Sequence, residues 1–392
     1  MDKNISGIGK DCVGCGNCQM VCPKVAISLE EDVEGFLYPI VDEAKCVNCG
    51  VCQDKCPQEQ VISPIKSQKG YIAISMDKVF YRNGASGGIF GTIANEFLAS
   101  GNAYVCGAAY LEGMVKHIII KKERDLRILQ NSKYVQSYLG NIFDQIRDIL
   151  NTTGEKVLFS GTPCQVNALR TFIGEHDNLY TIDIVCHGVS SPAFFQKDIT
   201  SYKLSDIDAV SFRKKHKFYK SKSNYFLALK QEGGKKVVGV PYNRDPYFNL
   251  FMEGKTFRYS CYKCHYANLN RVGDITLGDC DSASNYPNFH ADEATSIVLI
   301  NSSKGDELFH SCDKDIDFAD LDIQIERSRN HQLDHPFEKP KERETIYNNV
   351  NEMDVKELRN KYAKPYTIKG RVYQIANTIF PHRFVSKIIR KS

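Results

Sequence analysis

Eight of the fifteen cysteines stand in two copies of one pattern: Cys12-x2-Cys15-x2-Cys18-x3-Cys22-Pro23 returns as Cys46-x2-Cys49-x2-Cys52-x3-Cys56-Pro57. Sixty residues built this way cannot rest on an ordinary apolar core, so what the thiolates bind dictates the local fold. Thiolates are soft anions suited to iron, and a C-x2-C-x2-C loop converges three of them while its amides turn inward. The fourth ligand must come from elsewhere. Zinc is the competing reading, but zinc sites want ligands in two pairs, whereas this spacing gives two interlocked sets of three plus one. Gly14, Gly16 and Gly50 relieve crowding where each loop closes. An odd number of cysteines, the tight spacing and an N-terminus (MDKNISGIGK) without an apolar leader argue against disulfides and for a reducing, cytoplasmic setting.

The double run resembles the bacterial ferredoxins, in which the last cysteine of each run serves the other cluster. Carried over, that pattern implies two 4Fe-4S clusters, one held by Cys12, Cys15, Cys18 and Cys56 and the other by Cys46, Cys49, Cys52 and Cys22. Between the runs, Val25–Leu29 and Phe36–Ile40 flank an acidic turn and read as a hairpin. These residues, 1–62, form an α+β ferredoxin-like module. The polar stretch QEQVISPIKSQKG at 58–70 reads as a linker, placed at 63–70.

Strand and helix patterns then alternate. Ile89, Ile93 and Phe97, with Phe90, Ala94 and Leu98, give the stripe of a packed helix that Ser100-Gly101 ends. Tyr71–Ile74, Tyr104–Tyr110, Val115–Ile120, Lys156–Ser160 and Leu179–Val185 read as strands, and Ile142, Ile146 and Ile149 mark another helix. This predicts an α/β domain over 71–330, followed by an extension over 331–392. No apolar run is long enough to span a membrane. With 51 Lys and Arg against 47 Asp and Glu, the balance is too mild to indicate nucleic acid. Two segments are locally basic: Arg213–Lys222, and a tail from Tyr366 to Ser392 without Asp or Glu. A solvated face and a docking surface for an acidic partner, anionic substrate or membrane compete for each.

Seven cysteines remain. Cys164, in Gly161-Thr162-Pro163-Cys164-Gln165, and Cys186, in Cys186-His187-Gly188, each follow a predicted strand. Adjacent parallel strands would join their loops at the carboxyl edge, where open α/β sheets bind ligands. With Cys261 and Cys264 they make a candidate third 4Fe-4S site, against the alternative of small buried side chains and a zinc or empty pair. Cys280 competes with Cys264 as a ligand, while Cys106 and Cys312 read as packing residues. The Pro163-Cys164 pair also resembles the nucleophile loop of cytosine-5 DNA methyltransferases, but the other motifs of that family are missing. Ser86-Gly87-Gly88 stands before the Ile89 helix, either as a phosphate seat or as a tight glycine cap. Lys133-Tyr134-Val135-Gln136-Ser137 suits a nucleotide or a surface loop.

In this order, Ser86-Gly87-Gly88, Lys133–Ser137, Gly161–Gln165, Cys186-His187-Gly188, Cys261-x2-Cys264 and Asp274–Asp279 resemble the beta subunit family of coenzyme F420 hydrogenase/dehydrogenase over residues 1 to about 310. The resemblance implies an α/β flavin-binding domain holding FAD beside a 4Fe-4S cluster on Cys164, Cys186, Cys261 and Cys264. FAD contacts are implied from Ser86, Gly87 and Gly88 and from Lys133, Tyr134, Gln136 and Ser137, with His187 near cluster or flavin. At His216–Tyr219 the chain departs from the Gly-Trp of the family, and it has no Trp at all. The expected function is an iron-sulfur flavoprotein oxidoreductase that moves electrons between a deazaflavin or nicotinamide and its clusters through FAD, with a redox partner docking at the ferredoxin module. The alternative is a relay subunit without a substrate of its own, for which a place in surface-polysaccharide synthesis is one setting.

Overall fold

The computed structural model describes residues 3–60, 65–67, 69–204, 206–215, 224–231 and 237–364. In the first of these segments two four-residue helices, Asn17–Met20 and Val51–Asp54, follow the two cysteine loops, and Ile27–Glu31 pairs antiparallel with Leu37–Val41. Each short helix starts from a left-handed glycine, Gly16 at φ 81° and Gly50 at φ 83°, a conformation that a side chain would resist.

The large domain is built on an eight-stranded sheet. Its order is Ile316–Asp320, Lys69–Ser75, Ser296–Ile300, Ile275–Asp279, Leu179–Ile184, Lys156–Gly161, Ala103–Leu111 and Met114–Ile120. The strands Ala103–Leu111, Lys156–Gly161, Leu179–Ile184 and Ile275–Asp279 run parallel, with antiparallel neighbours on both flanks. Both faces are covered. Val105, Leu158 and Ile182 pack with the helix Ile89–Ala99, while Cys106, Val157 and Phe159 pack with Ile142–Asp148 and Pro163–Ile173. This alternation is why the central strands read as near-continuous apolar runs. A second, three-stranded antiparallel sheet, with Asn224–Gln231 between Val237–Pro241 and Ile207–Lys214, rests on an aromatic cluster around Phe212, Tyr247 and Phe248.

Two predicted boundaries differ from what is found. Within the expected linker, Ile65–Lys66 pairs with Asn270–Arg271, and the first strand of the large sheet already begins at Lys69. The expected extension packs onto the body: Arg343, fully buried, donates two hydrogen bonds to the Glu34 carboxylate at 2.7 and 2.6 Å and a third to the Phe257 carbonyl. That ion pair ties the ferredoxin hairpin to the helix Arg343–Glu352. The basic tail from Tyr366, and Lys217, Lys220, Lys222 and His216–Tyr219, lie outside the described residues. Arg213 and Lys215 are buried, so neither the solvated-face nor the docking reading applies to them.

A buried acid pair lies in the same region. Asp245 accepts from the Tyr202 hydroxyl and the Phe248 amide. Both Asp198 oxygens are buried without a donor among the described residues, and they face Asp245. Burial first, then the Asp245 charge, push the Asp198 carboxyl far above its ordinary range, and nearby Arg359 offsets only part of this. The shift favours the protonated form of Asp198 beside Asp245.

Replacing Arg343 by Leu leaves the half-buried Glu34 carboxylate without its partner and is expected to destabilise the protein by about 3 kcal/mol, much of it recovered in the Glu34→Leu/Arg343→Leu double variant; urea unfolding measures both. Because the folded pKa of Asp198 is raised, its contribution is fully present below the unfolded value of about 3.9 and is lost as pH rises toward the folded value. The urea midpoint of Asp198→Asn, which keeps a donor toward Asp245, should fall less with rising pH than that of the parent protein.

Candidate metal centres and nucleotide site

The ferredoxin loops enclose two cavities. Cys12, Cys15, Cys18 and Cys56 line one, with Ile5, Ile8, Leu29 and Pro39; Cys22, Cys46, Cys49 and Cys52 line the other, with Lys3, Lys24, Ile27 and Val47. Each cavity thus takes three thiols from one run and the last thiol of the other. Burial grades between them: Cys12, Cys15, Cys18 and Cys56 are all buried, whereas Cys49 is exposed. The first set faces inward and the second outward. Desolvation, followed by repulsion from Cys12, raises the Cys18 thiol to about 12. Burial likewise raises the Cys15 and Cys56 thiols, and binding a cation in the cavity releases the protons that such thiols hold. Among the described residues, no group of three or more His, Cys, Asp and Glu is arranged to hold a single metal ion. The thiols surround cavities instead, which suits an iron-sulfur cluster better than zinc.

A further group of thiols gathers at the carboxyl edge of the large sheet. Lys156–Gly161 pairs in parallel with Leu179–Ile184, so Cys164, in the first turn of the helix Pro163–Ile173, and Cys186, in the loop after the next strand, leave the sheet side by side. The turn at Tyr259–Lys263 brings Cys261, and Cys264 caps it. Burial is the largest influence on all four thiols, raising Cys164 to about 11 and Cys261 to about 12, and mutual repulsion links the set. Cys186 is affected by the other three, and Cys261 by Cys264 and Cys164. Backbone groups of Gln165, Gly188, Val189, Tyr266 and Ala267 hydrogen-bond to these sulfurs. Amides aimed at sulfur favour the thiolate form that iron requires.

Cys280 is not in this set. Its sulfur faces Ser282 and Glu326, and the latter also accepts from the Ser282 hydroxyl and the Asp281 and Ser282 amides. Cys106 and Cys312 are fully buried among core side chains.

Several residues that frame the thiols went unread in the sequence. Asp183, fully buried, accepts from the Val272 and Gly273 amides, from Thr276 and from Arg271 at 3.0 Å. Arg271 in turn donates to the Tyr266 and Ile184 carbonyls, which fixes the Cys186 and Cys264 loops relative to one another. An aspartate inside the otherwise apolar run Leu179–Val185 was the available signal. Tyr266 and Asn167 stand between the inward ferredoxin set and the sheet-edge set. Burial, then the Cys164 thiol, raise the Tyr266 hydroxyl, with smaller influences from Cys264 and Cys15. Asn167 donates to that hydroxyl at 2.8 Å and to the Pro57 carbonyl beside Cys56. Arg258, fully buried, donates to the carbonyls of Cys12 and Leu37 and lies over the Tyr38 ring.

The proposed nucleotide residues are divided. Lys133 folds back on its own loop, donating to the carbonyls of Ile128 and Gln130, while Tyr134 faces the small sheet, accepting from Arg213 and stacking on Phe251. Gln136 and Ser137 turn the other way. Gln136 bonds to the Val13 carbonyl and Arg258, and Ser137 accepts from Gln165, at the ferredoxin junction. In the Ser86–Gly88 loop, Ser86 donates to the Thr295 carbonyl and the Gly87 amide donates to Ser296. A Cβ on Gly87 would lie 2.4 Å from the Ala73 carbonyl, so close packing already calls for that glycine. The Lys215 ammonium is spent on the carbonyls of Tyr81, Gly84 and Ser86, which staples this loop. Arg213, on the small sheet, pairs with Asp279 at the end of a large-sheet strand at 2.7 Å. Burial opposes ionisation of Asp279, but Arg213 outweighs it and holds the carboxyl below its ordinary range. His187 lies close to this pair and stacks on His331; burial lowers its imidazole to about 4, so it is neutral.

Residues 154–323 match the family model for the C-terminal region of the "Coenzyme F420 hydrogenase/dehydrogenase, beta subunit", and residues 11–60 match "4Fe-4S dicluster domain". The matches give an N-terminal 4Fe-4S dicluster domain followed by a domain similar to the C-terminal region of that beta subunit. No curated protein matches the chain. Among solved structures it is similar to a chain of the F420-reducing [NiFe] hydrogenase complex from Methanosarcina barkeri, at 18% identity and a TM-score of 0.46, covering 73% of this chain and 93% of that one. An iron-sulfur protein related to oxidoreductases, with electron transfer as its task, follows from the two family matches. Among the described residues no helix is long and apolar enough to cross a membrane.

Proposed function

We propose that this chain is an FAD-dependent iron-sulfur oxidoreductase in which three 4Fe-4S clusters form one relay. The observation that carries this reading is the succession of three four-thiol groups, outward, inward and sheet-edge, with Tyr266 between the last two. Cys22, Cys46, Cys49 and Cys52 would hold the outward cluster, and Cys12, Cys15, Cys18 and Cys56 the inward one. The third would take Cys164, Cys186, Cys261 and Cys264. Bound FAD supplies hydride exchange with a deazaflavin or nicotinamide and one-electron exchange with a cluster.

The protein's own contribution is placement and shielding. The Ser86–Gly88 loop, Lys133, Tyr134 and the Arg213–Asp279 pair border the proposed nucleotide site between the two sheets, and His187 joins it to Cys186. The Arg213 guanidinium is fixed by Asp279 and Tyr134 and lies over the Tyr225 ring, so it offers a fixed positive charge to an electron-rich ligand. Gln136 and Ser137 serve the ferredoxin junction instead. Cys49, at the protein surface, marks where a redox partner would reach the outward cluster.

Anaerobic reconstitution with iron counting and absorption spectroscopy tests the assignment. The intact chain should hold about twelve irons, four for each cluster. Cys164→Ala should fall to about eight with the ferredoxin signals retained, and Cys280→Ser should leave the count unchanged. Equal iron in Cys164→Ala and the parent would refute the third cluster.

A further inference from the structure

We propose that the rim around the outward thiol set is a docking surface for an acidic protein that carries one electron at a time. This deepens the relay reading, on which it rests, by naming the chemistry of the partner that meets the outward cluster. The charged residues lining that cavity are both cations, Lys3 and Lys24. Each is exposed, and neither has a carboxylate within ion-pair distance among the described residues. Lys45, close by in sequence, is already held by Asp42 at 2.9 Å. No charged residue lines the inward cavity, so the two lysines belong to the open port and are not a requirement of cluster binding. Pro23 and Val47 line the outward cavity with them, and Val47 is 57% exposed.

Val25 points the same way independently. It follows Lys24, is 78% exposed and takes a φ of 49°, where a β-branched residue is strongly disfavoured. The turn itself has a use: the Val25 amide donates to the Cys22 carbonyl, and the Ala26 amide then points at the Cys22 sulfur at 3.2 Å. Glycine or asparagine makes such a turn without the strain. Neither the backbone nor packing within the chain calls for valine, and its side chain is left to meet a second molecule.

An apolar rim with two unpaired cations fits a partner whose redox centre opens in a small apolar contact ringed by carboxylates. Transient redox encounters bury little surface, so a patch of this size suffices. Opposite charges steer the approach and fix the orientation. One electron then crosses between the outward cluster and the partner's centre, the one being oxidised as the other is reduced, with no bond made or broken.

The test uses the full chain with its clusters loaded and reduced by dithionite, following stopped-flow electron transfer to two haem proteins, acidic cytochrome b5 and basic cytochrome c. Transfer to cytochrome b5 should slow as salt is added. In Lys3→Gln/Lys24→Gln it should fall about tenfold at low salt and lose most of its salt dependence. Val25→Asn, which keeps the turn, should slow it several-fold at every salt concentration while the iron count and urea midpoint hold. Transfer to cytochrome b5 that ignores salt, or that is unchanged in either variant, would overturn the surface, and so would a lowered urea midpoint in Val25→Asn, which would make Val25 structural. Self-association of the parent that both variants abolish would assign the face to a second copy of this chain and overturn the acidic carrier. A parent whose ferredoxin clusters cannot be reduced would sink the relay reading and the port with it. A parent whose clusters reduce but react faster with cytochrome c would sink the port alone.

Discussion

The parallel pairing of Lys156–Gly161 with Leu179–Ile184 is the constraint on which the rest depends. Parallel neighbours end at the same edge, so the loops that follow them must emerge together. The first leads into Cys164, in the opening turn of the helix Pro163–Ile173, and the second carries Cys186, with the turn at Cys261–Cys264 beside them. Holding thiols this close in a buried place is unfavourable, as their raised pKa values record. The surrounding structure opposes that cost with the Asp183–Arg271 pair, both partners fully buried and both fully hydrogen-bonded to the loops concerned. A buried ion pair adds little net stability when compared with apolar packing. Its value here is geometric, since it fixes the separation of two cysteine loops.

The ferredoxin module is joined to that edge rather than tethered near it. Arg258 reaches the Cys12 carbonyl, Asn17 donates to the Ala168 carbonyl at 2.8 Å, and Asn167 reaches Pro57. Each of these buried polar groups needs a partner across the junction, which makes the contact specific as well as close. Arg343 and Glu34 fix the far side of the hairpin. The inward thiol set is therefore held beside Tyr266, and the outward set is left near solvent.

Much of this was legible before any coordinates. The double cysteine run, the hairpin, the helix at Ile89 and the parallel strands all follow from spacing and periodicity, because local chemistry fixes them. Long-range pairings were not legible: nothing in the sequence relates Arg343 to Glu34 or Arg258 to Cys12. The reading of Lys133–Ser137 as one nucleotide-binding unit did not foresee the bend at Val135, which parts the segment into two halves. Lys133 folds back on its own loop and Tyr134 faces the small sheet, while Gln136 and Ser137 go to the ferredoxin junction. The basic stretch misled for a similar reason, since burial of Arg213 and Lys215 depends on Asp279 and on a loop more than a hundred residues away.

The central claim is a single relay of three clusters whose middle member has a neighbour on each side. Paramagnetic resonance of the fully reduced protein addresses it most directly, because unpaired spins on adjacent clusters split and broaden one another's signals. The account predicts three reduced centres, with the inward ferredoxin signal broadened by both neighbours and simplified when Cys186→Ser removes the third. Two centres only, or a third whose signal is indifferent to the state of the ferredoxin pair, would contradict it.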